Sequence, residues 1–142
     1  MADDRKHESP IPPMPDDIPS IERSWSCKFR DALRGVKEGV RGQSSFFAHF
    51  FIAAVVVAAG LVLRVDRIEW CLLAMCIGGV LTAEMFNSAL ESMAKAITGE
   101  SDPHLGNSLD IGSAAVLIAS TSAAVVGTLI FARRIGNLLG WW

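Results

Sequence analysis

Three apolar runs constrain this 142-residue chain more than any other feature: Phe46 to Leu63, Trp70 to Leu90 and Ile111 to Ala132. The first has His49 as its sole polar side chain. About eighteen residues of helix span roughly 27 Å, just enough to cross a bilayer's hydrocarbon core. Hydrophobic residues make up 51% of the chain and charged ones only 20%, and the charges crowd the segment up to Gln43. This distribution predicts membrane spans rather than a soluble core.

The flanking segments extend the expectation to an all-α integral membrane protein. Residues 1–22, which hold most of the six prolines, read as a disordered tail. Residues 23–142 read as one membrane domain. A surface helix over about 24–42 follows from Trp25, Phe29, Leu33, Val36 and Val40 recurring at spacings of three and four. Lys28, Arg30, Arg34, Lys37 and Arg41 occupy its other faces, so the helix suits an anionic membrane surface. Three transmembrane helices follow, over about 46–63, 69–97 and 110–132. Thr98 to Leu109 is predicted as a loop from its Gly, Pro and Asn content, and Asp110 as the N-cap of the last span. Trp141 and Trp142 suit an interfacial anchor.

Arg23, the surface-helix cations and Lys95 fall on one side of the membrane, against Arg64, Arg67, Arg133 and Arg134 on the other. That bias places the N-terminus and the loop after span two in the cytoplasm. No signal peptide is read in the polar, proline-rich start. The net charge of −2 and the scattered basic residues argue against nucleic acid as a partner. Cys27, Cys71 and Cys76 are odd in number and read as small hydrophobes.

The chemistry concentrates in AEMFNSALES, residues 83–92, at the cytoplasmic end of span two. Asn87 and Glu91 lie three and seven residues after Glu84, which places all three on one helix face. Glu84 falls about six residues, roughly 9 Å, inside the hydrocarbon boundary, with Glu91 at that boundary. A carboxylate at such depth is costly and must face a partner helix or a polar cavity, where it is poised to accept a proton from a hydroxyl. The plainer alternative is helix association through hydrogen bonds. Glu91 suits a hard divalent cation and, through it, nucleotide phosphates; otherwise it is a solvated helix end beside Lys95. Neither a Walker lysine loop nor a kinase glycine loop occurs. A channel lined by Glu84 and Asn87 predicts a polar stripe along a whole span, whereas span two is polar only in its cytoplasmic third.

AEMFNSALE followed by DIGSAAVLIA resembles the prokaryotic diacylglycerol kinase family, which includes undecaprenol kinases. KFRDALRGVK and IEW resemble it too, and the similarity covers about residues 25–131. The resemblance implies a homotrimeric lipid kinase of the bacterial inner membrane, with active sites shared between subunits. It would transfer the γ-phosphate of ATP to a lipid hydroxyl with Mg2+. Carried over by motif, Glu84 is the catalytic base, Asn87 its neighbour in the nucleotide site, Glu91 a metal and nucleotide ligand, and Asp110 a nucleotide contact. Phe46 and Ser113 join Glu84 on the lipid side.

The chain departs from the family pattern at charged positions. Gln43 and Phe47 stand in GQSSFF where the family has a Glu and an Arg, Leu109 replaces a Lys, and Lys95 replaces an acid. Two readings accommodate this. Lys95 supplies the phosphate cation and Gln43 a neutral metal ligand, or the chain is a non-catalytic relative that binds lipid or nucleotide.

Overall fold

The computed structural model describes residues 24–41, 44–97 and 102–141. Four helices make up the described chain, α1 (Trp25–Val40), α2 (Ser44–Val62), α3 (Arg67–Ile97) and α4 (Pro103–Leu138), with no strand among the described residues. Residues 1–22, for which a disordered tail was predicted, lie outside them, as do Arg23, Gln43, Trp142 and part of the predicted loop.

The helices α2, α3 and α4 are long and apolar enough to cross a membrane. At 31 residues, α3 extends about 46 Å, more than a hydrocarbon core of about 30 Å. One of its ends must therefore stand in the headgroups or beyond. Large apolar side chains such as Phe47, Phe51, Met75, Phe86, Leu117 and Leu129 are exposed on the bundle's outside. In water that would be a liability; in acyl chains these side chains are solvated. On α1, Trp25, Phe29, Leu33 and Val36 are also exposed, so no core among the described residues covers its apolar face. A membrane surface is the solvent such a helix suits.

The turn between α2 and α3 combines two stop and start signals. Arg64 takes φ 52° while Val65 N–H donates to Gly60 O and Arg64 N–H to Leu61 O, a Schellman closure. Asp66 then accepts from the N–H groups of Ile68 and Glu69, and Glu69 reaches back to Asp66 N–H. That reciprocal pair is a capping box. A second Schellman closure ends α4, with Gly140 at φ 70° and Trp141 N–H donating to Gly136 O.

The start of α4 corrects the sequence expectation. Asp102, not Asp110, is the N-cap: its Oδ1 accepts from the N–H groups of His104 and Leu105, with Pro103 opening the helix. Pro is favoured there because it has no N–H to leave unpaired. Residues 103–109 are therefore helical rather than loop, and Asp110 is an exposed residue two turns into α4. At its far end α4 continues beyond Ala132 to Leu138.

Most helix packing is between α3 and α4. The inward stripe of α3 comprises Glu69, Leu73, Glu84, Asn87, Ser88 and Ala94. A small core of Val65, Leu73 and Ile130 sits at the end away from α1. Beside it, Arg134 of α4 donates to Glu69 and Asp66, and Arg133 Nη1 lies 3.9 Å from Glu69 Oε1. A Cβ added at mid-helix Gly78 or Gly79 would meet nothing within 4 Å among the described residues.

Candidate functional site

Glu84 is 2% exposed, on the buried stripe of α3. Helical periodicity carries Asn87 and Ser88 onto the same face one turn on, and both are buried. Asn87 Nδ2 donates to Glu91 Oε1 at 3.1 Å. The amide thereby orients the carboxylate expected to bind cation and phosphate. Glu84 and Glu91, seven residues apart, are separated by about 10 Å along the axis.

The amide is held from the other side by α4. A Cβ on Gly112 would stand 2.7 Å from Asn87 Oδ1 and 3.0 Å from Leu90 Cδ1. Only glycine allows α4 to lie this close to the site. Oδ1 of Asn87 and Oγ of Ser88 are buried without a hydrogen-bond partner among the described residues. Buried polar atoms are nearly always paired, so these orphans make the stripe a candidate ligand site.

Two cavities flank the stripe. One, of about 480 Å³, lies between α1 and the end of α3, where Met85 packs on the backbone of Gly39. Its lining includes Arg41, Glu38, Ser88, Ser92 and Lys95. Lys95 thus lines the same cavity as Arg41, a second cation that the motif alone does not suggest. The other cavity, of about 580 Å³, is an apolar groove between α2, α3 and α4 running from His49 to Phe131.

The remaining expected residues are distributed as follows. Phe46 is 1% exposed and packs against Phe50, so it is an interior residue of the bundle. Asp110 and Ser113 are exposed on α4. Gln43, an expected metal ligand, lies outside the described residues. Among those described, no group of three His, Cys, Asp or Glu is placed to hold a metal. The three cysteines are free.

From sequence, His49 reads as a helix-packing or interfacial residue rather than a ligand. Its Nε2 lies 3.9 Å from Glu84 Oε2. The signal was present, since a lone polar residue in an apolar run needs a reason, but its partner is on a different helix.

The model of the family "prokaryotic diacylglycerol kinase" matches residues 30–131. An undecaprenol kinase of Bacillus subtilis is 29% identical over 107 residues, covering 75% of this chain and 87% of the relative. A diacylglycerol kinase of Synechocystis is 33% identical over 100 residues, 70% of this chain and 57% of the relative. A diacylglycerol kinase of Haemophilus influenzae is 29% identical over 101 residues, 70% of this chain and 86% of the relative. The matched segment contains Glu84, Asn87, Glu91 and the whole of the buried polar stripe around them. With that stripe set among three membrane-spanning helices, the chain belongs to the prokaryotic diacylglycerol kinase family and is a membrane lipid kinase.

Proposed function

We propose that the protein transfers the γ-phosphate of ATP to the hydroxyl of diacylglycerol or undecaprenol at the cytoplasmic face of a bacterial inner membrane. The observation that carries this reading is Glu84, a carboxyl group 2% exposed within a membrane-spanning helix and in line with the Asn87–Glu91 pair. A lipid hydroxyl arrives from the bilayer side and a nucleotide from the aqueous side, so a site serving both must straddle the boundary. The stripe from Glu84 to Lys95 extends about 16 Å along α3, which suits that geometry.

Glu84 takes the proton of the lipid hydroxyl. The hydroxyl oxygen forms its bond to the γ-phosphorus while the bond to the bridging oxygen breaks and ADP departs with the electron pair. Lys95 and Arg41 at the α1/α3 cavity supply positive charge toward the phosphates, which supports compensation for Leu109. Magnesium fits the donor set: it commonly takes one or two carboxylates and completes its shell with phosphate oxygens and water. Glu91 is that carboxylate, oriented by Asn87, with Gln43 as the proposed neutral ligand. Bound there, the ion would neutralise charge on the phosphoryl group. Asp110 and Ser113, exposed on one chain, would complete a site in a homotrimer.

The test is transfer of labelled phosphate from ATP to each lipid in detergent with magnesium. Wild type should phosphorylate at least one lipid, and E84Q should lose about 10²-fold or more of kcat. An inactive wild type beside an active relative would leave the non-catalytic reading in its place.

A further inference from the structure

We propose that His49 is a positioning residue for Glu84, holding one carboxylate oxygen from α2 so that the other faces the lipid hydroxyl. This inference rests on Glu84 being the base. His49 is the one polar side chain in the run from Phe46 to Leu63. A ring with two polar nitrogens is costly in hydrocarbon unless it meets a polar partner. That partner is Glu84: Nε2 and Oε2 are 3.9 Å apart, with the side chains 19% and 3% exposed. The separation exceeds a hydrogen bond, so the pairing requires the two side chains to draw together when the site is engaged. Catalytic hydrogen bonds are often this long before substrate binds.

The surroundings make the pairing specific. On α2 itself, no other titratable group lies between Phe46 and Leu63. From α3, Glu84 faces the ring, while Glu91 is two turns further on and accepts from Asn87. From α4, the groove that His49 borders receives the hydroxyls of Ser120, Thr121 and Thr128 but no charged side chain. The ring thus reaches the base while bordering an apolar groove of about 580 Å³. It fixes the carboxylate where the hydrocarbon part of the site begins.

In this arrangement His49 donates Nε2–H to Oε2 of Glu84. Oε1 is left to receive the lipid proton as the new O–P bond forms and the P–O bond to ADP breaks. The transferred proton stays on Glu84, and His49 neither gains nor loses one. The relation is that of an orienting group behind a general base.

The experiment compares kcat and the KM for ATP of the full chain in lipid nanodiscs for wild type, H49L, H49Q, H49N, E84Q and H49L/E84Q. H49L should lower kcat roughly ten- to a hundredfold, part of the roughly 10²–10⁴-fold that a positioned base contributes, with the KM for ATP unchanged. H49Q should recover most of the rate, because its amide nitrogen reaches the position of Nε2. H49N, one methylene shorter, should not. H49L should add no further loss to E84Q, since the two act as one unit.

A wild-type kcat in H49L, equal losses in H49L and H49Q, or losses that multiply in the double variant would each overturn the proposal. Should H49L fail to accumulate in the membrane, the contrast between H49Q and H49N decides it in the same way. An E84Q as active as wild type overturns the reading of Glu84 and this one with it. An inactive E84Q beside a fully active H49L overturns the role of His49 alone.

Discussion

Gly112 and Asp66 show how single residues set the two ends of the bundle. At Gly112 the contact with Asn87 Oδ1 allows no side chain, so G112A must displace the amide or push α4 outward. Overpacking of this kind costs about 1–3 kcal/mol. The variant should melt earlier in detergent, and its phosphate transfer should fall further than the loss of folded protein explains. At the opposite end, the Glu69 N–H donating to Asp66 holds that carboxyl below its ordinary value. Desolvation opposes the shift, while the Ile68 N–H and the charges of Arg134 and Arg133 reinforce it. A carboxyl depressed in the folded state adds stability that is full above its unfolded value of about 4 and is lost as pH falls through the folded value. The melting midpoint of wild type should therefore hold from pH 7 to 5 and drop below pH 4. D66N should show a smaller drop.

At the scale of elements, the hydrophobic pattern marks where a helix meets hydrocarbon, not where it begins or ends. Asp110 precedes the apolar run and looks like a cap, yet α4 starts at Pro103 because Asp102 satisfies the first N–H groups. D102A should cost about 1 kcal/mol and fray the first turn, measurable as faster amide exchange at His104, Leu105 and Gly106. Between α2 and α3, Arg64 occupies a left-handed conformation that glycine adopts without strain. R64G should stabilise the protein by up to about 1 kcal/mol, read as a higher melting midpoint. The capping box of Asp66 and Glu69 was legible as D-R-I-E before an apolar run.

For the whole molecule, Arg134 locks the end of α4 to the turn before α3 through Asp66 and Glu69. Glu69 is buried, so R134A leaves a carboxylate without its main cation. Removing one partner of such a pair should lower the melting midpoint. The loss in E69A/R134A should be smaller than the sum of the single losses, which a double-mutant cycle in detergent would measure. Because this lock lies at the end opposite Glu91 and Lys95, R134A should change the KM for ATP little in the protein that remains folded.

The sequence by itself determined three crossings, a basic surface helix, and one face of α3 carrying Glu84, Asn87 and Glu91. These properties follow from run length and from the 3.6-residue period, both internal to a single helix. It also carried the family motif, through which the lipid kinase activity was readable. Only the tertiary structure decided that Glu84 meets His49, that Asn87 rests on Gly112, that Lys95 lines a cavity with Arg41, and that Glu69 meets Arg134. Each of these joins residues on different elements. Its existence depends on how far each helix is rotated and shifted against the next, which the packing of all their side chains together sets and no local pattern encodes.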